Sequence, residues 1–223
     1  LEGARVAICA RGEEALRATE NEIGALGGSV LATTCDLAEP RELDCFLEEV
    51  RARLGRIDVL INNASAFAMS DDETGWQASL NVDLMAAVRA VWRVVPWMTE
   101  GGGGSIIHIS SISGLEAGSP PSYAAAKAAL ISHSKTLAVS LAPRKIRVNV
   151  VAPGAILFPG GGWDRMSNLN PAFFNAIRDN IPWGRMGTPE EVANVVIFLA
   201  SEKASWMTGT VVSVDGGQHK ANL

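Results

Sequence analysis

Apolar residues come in short bursts along this chain, separated by longer amphipathic stretches. Residues 4–10 (ARVAICA) form a continuous apolar run, the pattern of a strand buried on both faces. Residues 12–26 follow with helical spacing and stop at Gly27 and Gly28. The alternation then repeats: a strand over 29–35, a helix from Pro40 to Leu54, and a strand over 57–63 (IDVLINN). Asp71 and Asp72 can cap a long helix over 73–99, which the glycines at 101–104 end. A strand over 105–110, a helix over 121–142 and a strand over 146–152 come next. Residues 153–188 are irregular and rich in Gly, Pro and aromatics; a helix from Pro189 to Ala200 and a strand over 209–214 complete the pattern. Strands and helices alternating at this spacing predict right-handed βαβ units. They imply a doubly wound parallel sheet between two helical layers, with ligands at the carboxyl ends of the strands.

Composition narrows the picture. A length of 223 residues suits a single domain with one core. The formal net charge is −5, and there is no basic block, which argues against a nucleic-acid or anionic-membrane partner. No apolar run is long enough to span a bilayer and no leader opens the chain, so a cytoplasmic location is expected. Cys9, Cys35 and Cys45 are an odd set without a CxxC pair, and they read as reduced thiols; no metal site is expected.

The residues that could do chemistry follow the strands. Asn62-Asn63-Ala64-Ser65 comes after the third strand and Ser110-Ser111-Ile112-Ser113-Gly114 after the fourth; Pro153-Gly154 comes after the fifth. On the next helix after the serines lie Tyr123, the only tyrosine of the chain, and Lys127. Positions i and i+4 share a helix face, so phenol and ammonium are neighbours. A free phenol titrates near ~10, and an adjacent cation is expected to lower that value, making Tyr123 a proton donor and acceptor for a carbonyl or alcohol oxygen. Ser111 offers a hydroxyl to the same oxygen. A hydride would have to come from a cofactor, because no side chain can supply one. Taken singly, Tyr123 is more plainly a half-buried aromatic and Lys127 a solvated helix charge. Their joint placement beside the strand-end serines favours the chemical reading.

The stretches NNAS (62–65), SSISG (110–114), YAAAK (123–127), VNVVAPG (148–154) and TGTVVSVDGG (208–217) together resemble the short-chain dehydrogenase/reductase family. The nearest likeness is to its 3-oxoacyl-[acyl-carrier-protein] reductase-like branch. The resemblance implies a Rossmann-type fold and oxidoreductase activity with a nicotinamide cofactor. It implies catalytic roles for Ser111, Tyr123 and Lys127, with Ser111 preferred over Ser110 because it fits the SxxG pattern. It also implies a relay position at Asp83, where the family has asparagine and uses mainly its backbone carbonyl. For the cofactor it points to Arg11, Asp36, Leu37, Asn62, Asn63, Ala64, Pro153, Gly154 and Ile156, along with Tyr123 and Lys127. Arg11 ends its strand with no acid before Glu13, and a guanidinium can grip a phosphate bidentately. NADP(H) is therefore preferred, with NAD(H) possible.

Three features depart from the family pattern. The family opens with a strand, a TGxxxGxG loop and a helix. That first strand and glycine-rich loop are absent from these 223 residues, so about 25–30 residues of a βαβ unit are expected to precede Leu1. Asp83 replaces the asparagine, and its charge is expected to act on Lys127. After Gly154 stand Leu157 and Phe158, where the family often has a threonine. Residues 155–188 are expected to form a mobile, apolar substrate lid, with Phe158 and Trp163 the leading substrate contacts; Met166, Phe173, Phe174 and Trp183 lie in the same stretch, and Phe67, Met69 and Leu115 are further pocket candidates. The substrate expected is an apolar or 3-oxoacyl-type carbonyl or secondary alcohol. Trp92 and Trp97 are expected in the core or at a subunit contact. The helices 73–99 and 121–142 suit a homotetramer or homodimer. An NAD-dependent alcohol or steroid dehydrogenase, and an inactive cofactor-binding interaction protein, are the competing readings.

Overall fold

The computed structural model describes residues 3–221. Its elements alternate as the patterning requires. They run β1 (Arg5–Ala10), α1 (Glu13–Ala25), β2 (Ser29–Thr34), α2 (Pro40–Leu54), β3 (Val59–Asn62) and α3 (Glu73–Ala78), then a π-helical segment (Ser79–Met85) leading into α4 (Ala86–Glu100). There follow β4 (Gly104–Ile109), α5 (Pro121–Leu141), β5 (Ile146–Pro153), α6 (Gly162–Leu169), α7 (Pro171–Asp179), α8 (Pro189–Ala200) and β6 (Val211–Val214). Every strand pairing is parallel, and helices flank the sheet.

Hydrogen bonding divides the described strands into a pair, β1–β2, and a four-stranded sheet in the order β3-β4-β5-β6. This corrects the expectation for residues 4–10. Strand β1 has no fully buried residue, because only one of its edges is paired among the described residues. The central strands β4 and β5 meet the double-buried pattern instead: Ile106, Ile107, Val148 and Val151 are fully enclosed. The main core lies between β4, β5 and helices α2, α4 and α5, around Phe46, Val91, Val94, Met98, Ile106 and Val148. A second cluster joins Ile107 and Val151 to Leu199 of α8 on the opposite face.

The helix expected over 73–99 is interrupted. Asp72 caps α3 through Gly75 N–H (2.8 Å), as foreseen. Seven residues then wind with the wider π repeat, which rotates the register so that Ser79 and Asp83 both face inward. Hydrophobic spacing alone does not reveal such a shift. The stretch 153–188 also carries two helices, α6 and α7, rather than being irregular throughout. Its ends are pinned by an isolated bridge between Ile156 and Gly187 and by Gly187 N–H donating to Ala155 O at 2.9 Å. Ala155, Ile181 and Met186 form a small core there, packed by Trp163, Phe174 and Ile177. Of the two tryptophans on α4, Trp97 packs against the main core under the guanidinium groups of Arg51 and Arg93. Trp92 is exposed, which corrects the core option for that residue. Among the described residues no helix is long and apolar enough to cross a membrane.

Candidate active site

Parallel strands deliver their carboxyl ends to one edge, and the residues singled out above gather along it. β1 ends next to Arg11, β2 next to Asp36 and Leu37, β3 at Asn62, β4 next to Ser110 and Ser111, and β5 at Pro153. The serine pair divides its labour. Ser110 is buried and donates to Lys127 O (2.9 Å), stapling β4 to α5. Ser111 Oγ accepts from Ser113 N (3.1 Å) and lies 3.1 Å from Ser113 Oγ; Ser119 Oγ donates to Ser113 Oγ at 2.7 Å. Gly114 is required by this packing: a Cβ there would lie 2.8 Å from the Lys127 carbonyl carbon. The SxxG spacing thus reflects how closely the turn after β4 approaches α5.

Lys127 is 2 % exposed. Its Nζ donates to Ile109 O (3.1 Å) and lies 3.1 Å from Asp83 Oδ1. The second carboxylate oxygen, Oδ2, accepts from Ala66 N (3.1 Å). Asp83 therefore contributes its side chain, not only a backbone carbonyl, and it ties the π segment to α5 and to the loop after β3. A buried ion pair of this kind persists because further hydrogen bonds satisfy its members; removing one partner would leave an uncompensated charge. Asn81, two positions earlier, is exposed.

The electrostatics correct one expectation. Tyr123 is not made more acidic here. Burial pushes its phenol above the ordinary range; a hydrogen bond from Ser111 opposes this, and the Asp83 carboxylate adds to it. The Lys127 ammonium, 5.5 Å from the tyrosine ring centroid, has its charge offset by Asp83. Burial lowers the Lys127 amine, and the carboxylate partly restores it. At neutral pH the phenol is protonated.

Several features of the site are not legible in the motif spacing. His108, on β4 beside Asn62, is fully buried, and its Nδ1 lies 3.2 Å from Asn62 Nδ2. With Asn62 Nδ2 as the donor, Nδ1 accepts and the ring proton sits on Nε2. That atom has no hydrogen-bond partner among the described residues, and the His133 ring stands 5.9 Å away. Burial above all, then His133 and Lys127, push His108 down to about 3. Asn62 is thus engaged with a histidine, while Asn63 and Ala64 are exposed. In the next loop Phe67 has a φ of 49°, a left-handed conformation that costs a bulky residue about 1–3 kcal/mol. Its ring meets Tyr123 edge to face at 5.6 Å.

Of the lid residues, Phe158 is exposed, and Trp163 stacks on Phe173 (6.0 Å) while packing on the lid's own small core. Trp183 is exposed. Gly154 N–H donates to Val214 O (3.0 Å) and Ala155 N–H to Gln218 Oε1 (2.8 Å), so the loop after β5 is anchored to the chain end beyond β6. An open groove lined by Thr33, Arg41, Cys45 and Glu49 lies between β2 and α2 and is separate from the tyrosine, lysine and serine cluster.

A family model described as "Enoyl-(Acyl carrier protein) reductase" matches residues 1–219. The 3-oxoacyl-[acyl-carrier-protein] reductase of Thermotoga maritima is 38% identical over 222 residues, covering 97% of this chain and 88% of the relative. The chain belongs to the short-chain dehydrogenase/reductase family. Isoepoxydon dehydrogenase of Penicillium expansum is 40% identical over 191 residues, covering 85% of this chain and 74% of that protein. The solved structure of L-sorbose reductase from Gluconobacter frateurii, complexed with NADPH and L-sorbose, superposes with a TM-score of 0.87 at 35% identity. That alignment covers 99% of this chain and 89% of the other. The chain is thus an oxidoreductase-family protein of Rossmann type.

The groups along the strand ends fit a nicotinamide dinucleotide in kind. Arg11 is exposed at the end of β1, and no carboxylate among the described residues lies within ion-pair distance of it. Asp36 is fixed by accepting from Ala38 N (2.9 Å). The Tyr123–Lys127 face stands beside the end of β4, where Lys127 is hydrogen-bonded to Ile109 and Ser110.

Proposed function

We propose that the protein is an NADP(H)-dependent reductase that converts an apolar or 3-oxoacyl-type carbonyl to a secondary alcohol. The observation that carries this reading is the grouping of half-buried Ser111 and Tyr123 with buried Lys127, in which the phenol is kept protonated while the neighbouring ammonium is balanced by Asp83. A protonated phenol is the form needed to give a proton to a carbonyl oxygen, so the reductive direction suits neutral pH. The Ser111 hydroxyl is placed to donate to the same oxygen and to stabilise the negative charge that develops there. Lys127 fixes Tyr123 by binding the helix to Ile109 O, and it holds the positive charge beside the phenol. Asp83 is a positioning residue that holds Lys127 and the loop after β3 together.

Arg11, Asp36, Leu37, Asn62, Asn63, Ala64, Pro153, Gly154 and Ile156 would hold the cofactor, with Tyr123 and Lys127 at its reactive end. When bound, a nicotinamide cofactor supplies the hydride. The guanidinium of Arg11, which has no ion-pair partner among the described residues, favours the phosphorylated form. Residues 155–188 act as the lid over the substrate, with Phe158 and Trp163 as its contacts. A cytoplasmic homotetramer or homodimer goes with this reading, supported by the exposed Trp92 and Val139 on helices α4 and α5. Light scattering on the purified protein reads the assembly directly. The decisive experiment follows NADPH consumption with a panel of ketones and 3-oxoacyl thioesters. Turnover that Tyr123→Phe abolishes is expected, and turnover that survives in that variant would refute the proposal.

A further inference from the structure

Phe67 is one of two non-glycine residues among those described with a positive φ, at 49°; the other, Lys145, simply closes a helix end. The backbone strain at Phe67 is held by its neighbours. Ser65 Oγ accepts from Phe67 N (3.0 Å), and Asp83 Oδ2 accepts from Ala66 N (3.1 Å). The ring so positioned joins no core cluster and is 49% exposed. On one side it meets the Tyr123 ring at 5.6 Å and 75°. On the other it reaches the start of α6, where a Cβ on Gly162 would lie 3.4 Å from Phe67 Cε1. A strained backbone that delivers a large apolar ring to a half-exposed position contributes little to folding. Strain maintained in this way points to a ligand.

We propose that Phe67 is the specificity-determining wall of the substrate site, and that the site takes a flat ring ketone or ring alcohol rather than an open acyl chain. This rests on the reductase reading above and deepens it. Two aromatic rings set at 75° form an apolar corner beside the tyrosine hydroxyl. A planar ring laid on Phe67 keeps one face on that apolar ring and one edge against the Tyr123 ring, with its carbonyl oxygen towards Tyr123 and Ser111. An acyl chain has no face to lay there and gains only methylene contacts. The same Asp83 carboxylate that balances Lys127 also holds this loop, so the wall and the proton donor are set by one group.

The test uses the full-length protein with two probes, 2-tetralone and the N-acetylcysteamine thioester of 3-oxohexanoic acid, in wild type, Phe67→Leu and Phe67→Gly. Wild type should prefer 2-tetralone. Both variants should lose roughly tenfold or more in kcat/KM for 2-tetralone, through KM, with the thioester changed by less than about twofold. Calorimetric binding of 2-tetralone should weaken in parallel. Phe67→Gly should keep or raise Tm, since glycine adopts the left-handed backbone freely; this separates loss of the ring from loss of the fold. Equal losses on both probes, or a wild-type preference for the thioester, would overturn the proposal while leaving the reductase reading intact. If wild type turns over neither probe but binds 2-tetralone in a Phe67-dependent way, the wall stands and the reductase reading falls. If it neither binds nor reduces 2-tetralone, the wall is refuted.

Discussion

Strand β4 buries four of its six residues and β5 six of its eight, whereas β1 buries none of its six completely. β4 leads to the serine, tyrosine and lysine set and β5 to Pro153 and Gly154; β1 leads to Arg11. The contrast follows from pairing: β4 and β5 are each flanked by strands on both edges, whereas β1 is paired on one edge among the described residues. A proton donor needs a tuned pKa, and desolvation is the strongest means of tuning one, so Tyr123, Lys127, Asp83 and His108 lie in or beside the enclosed half of the sheet. Arg11, by contrast, is exposed.

This contrast can be broken experimentally. Tyr123→Phe should reduce turnover by about 10²–10⁴-fold and leave the cofactor Kd within about twofold, as measured by steady-state kinetics and calorimetry; an equal loss in Kd would mean that the two regions are not separable. Lys127→Met leaves the Asp83 carboxylate buried and unpaired. It should cost about 3–5 kcal/mol in denaturant unfolding, whereas Arg11→Met on the open side should stay within about 0.5 kcal/mol. The same arginine should matter for discrimination: Arg11→Ala is expected to lower the ratio of kcat/KM for NADPH over NADH by roughly 10–100-fold.

Two further outcomes concern pH. His108 is pushed down to about 3 by burial, below its ordinary value near 6.5, so the unfolded chain binds the proton more readily. The associated stability is complete above about pH 6.5 and is lost as pH falls towards 3, amounting to about 2 kcal/mol by pH 5. His108→Gln, which keeps an acceptor for Asn62, should flatten the acid side of the stability curve; an unchanged acid midpoint would show that the imidazole does not govern it. The smallest kinetic effect is expected for Asp83→Asn, which also leaves the Lys127 ammonium buried without its counter-charge. The carboxylate raises the phenol, so its neutral replacement should lower the phenol's pKa. Reduction needs the protonated phenol, and the alkaline limb of its pH–rate profile should therefore move down.

The layered fold, the order of its elements and the line-up of candidate groups along one edge follow from short apolar runs, helical spacing and the residues after each strand. These are local properties, and chain geometry carries them into space with little choice: parallel strands necessarily present their carboxyl ends together. What only the tertiary structure decided is how those groups act on one another. The π turn that swings Asp83 inward has no signature in hydrophobic spacing, because it depends on packing against α5. The upward shift of the Tyr123 phenol contradicts what its spacing from Lys127 suggests, since burial, its main cause, and the nearby Asp83 carboxylate are properties of the assembled site. The Phe67–Tyr123 and His108–His133 contacts likewise arise between segments far apart in the chain, so no short window of sequence contains them.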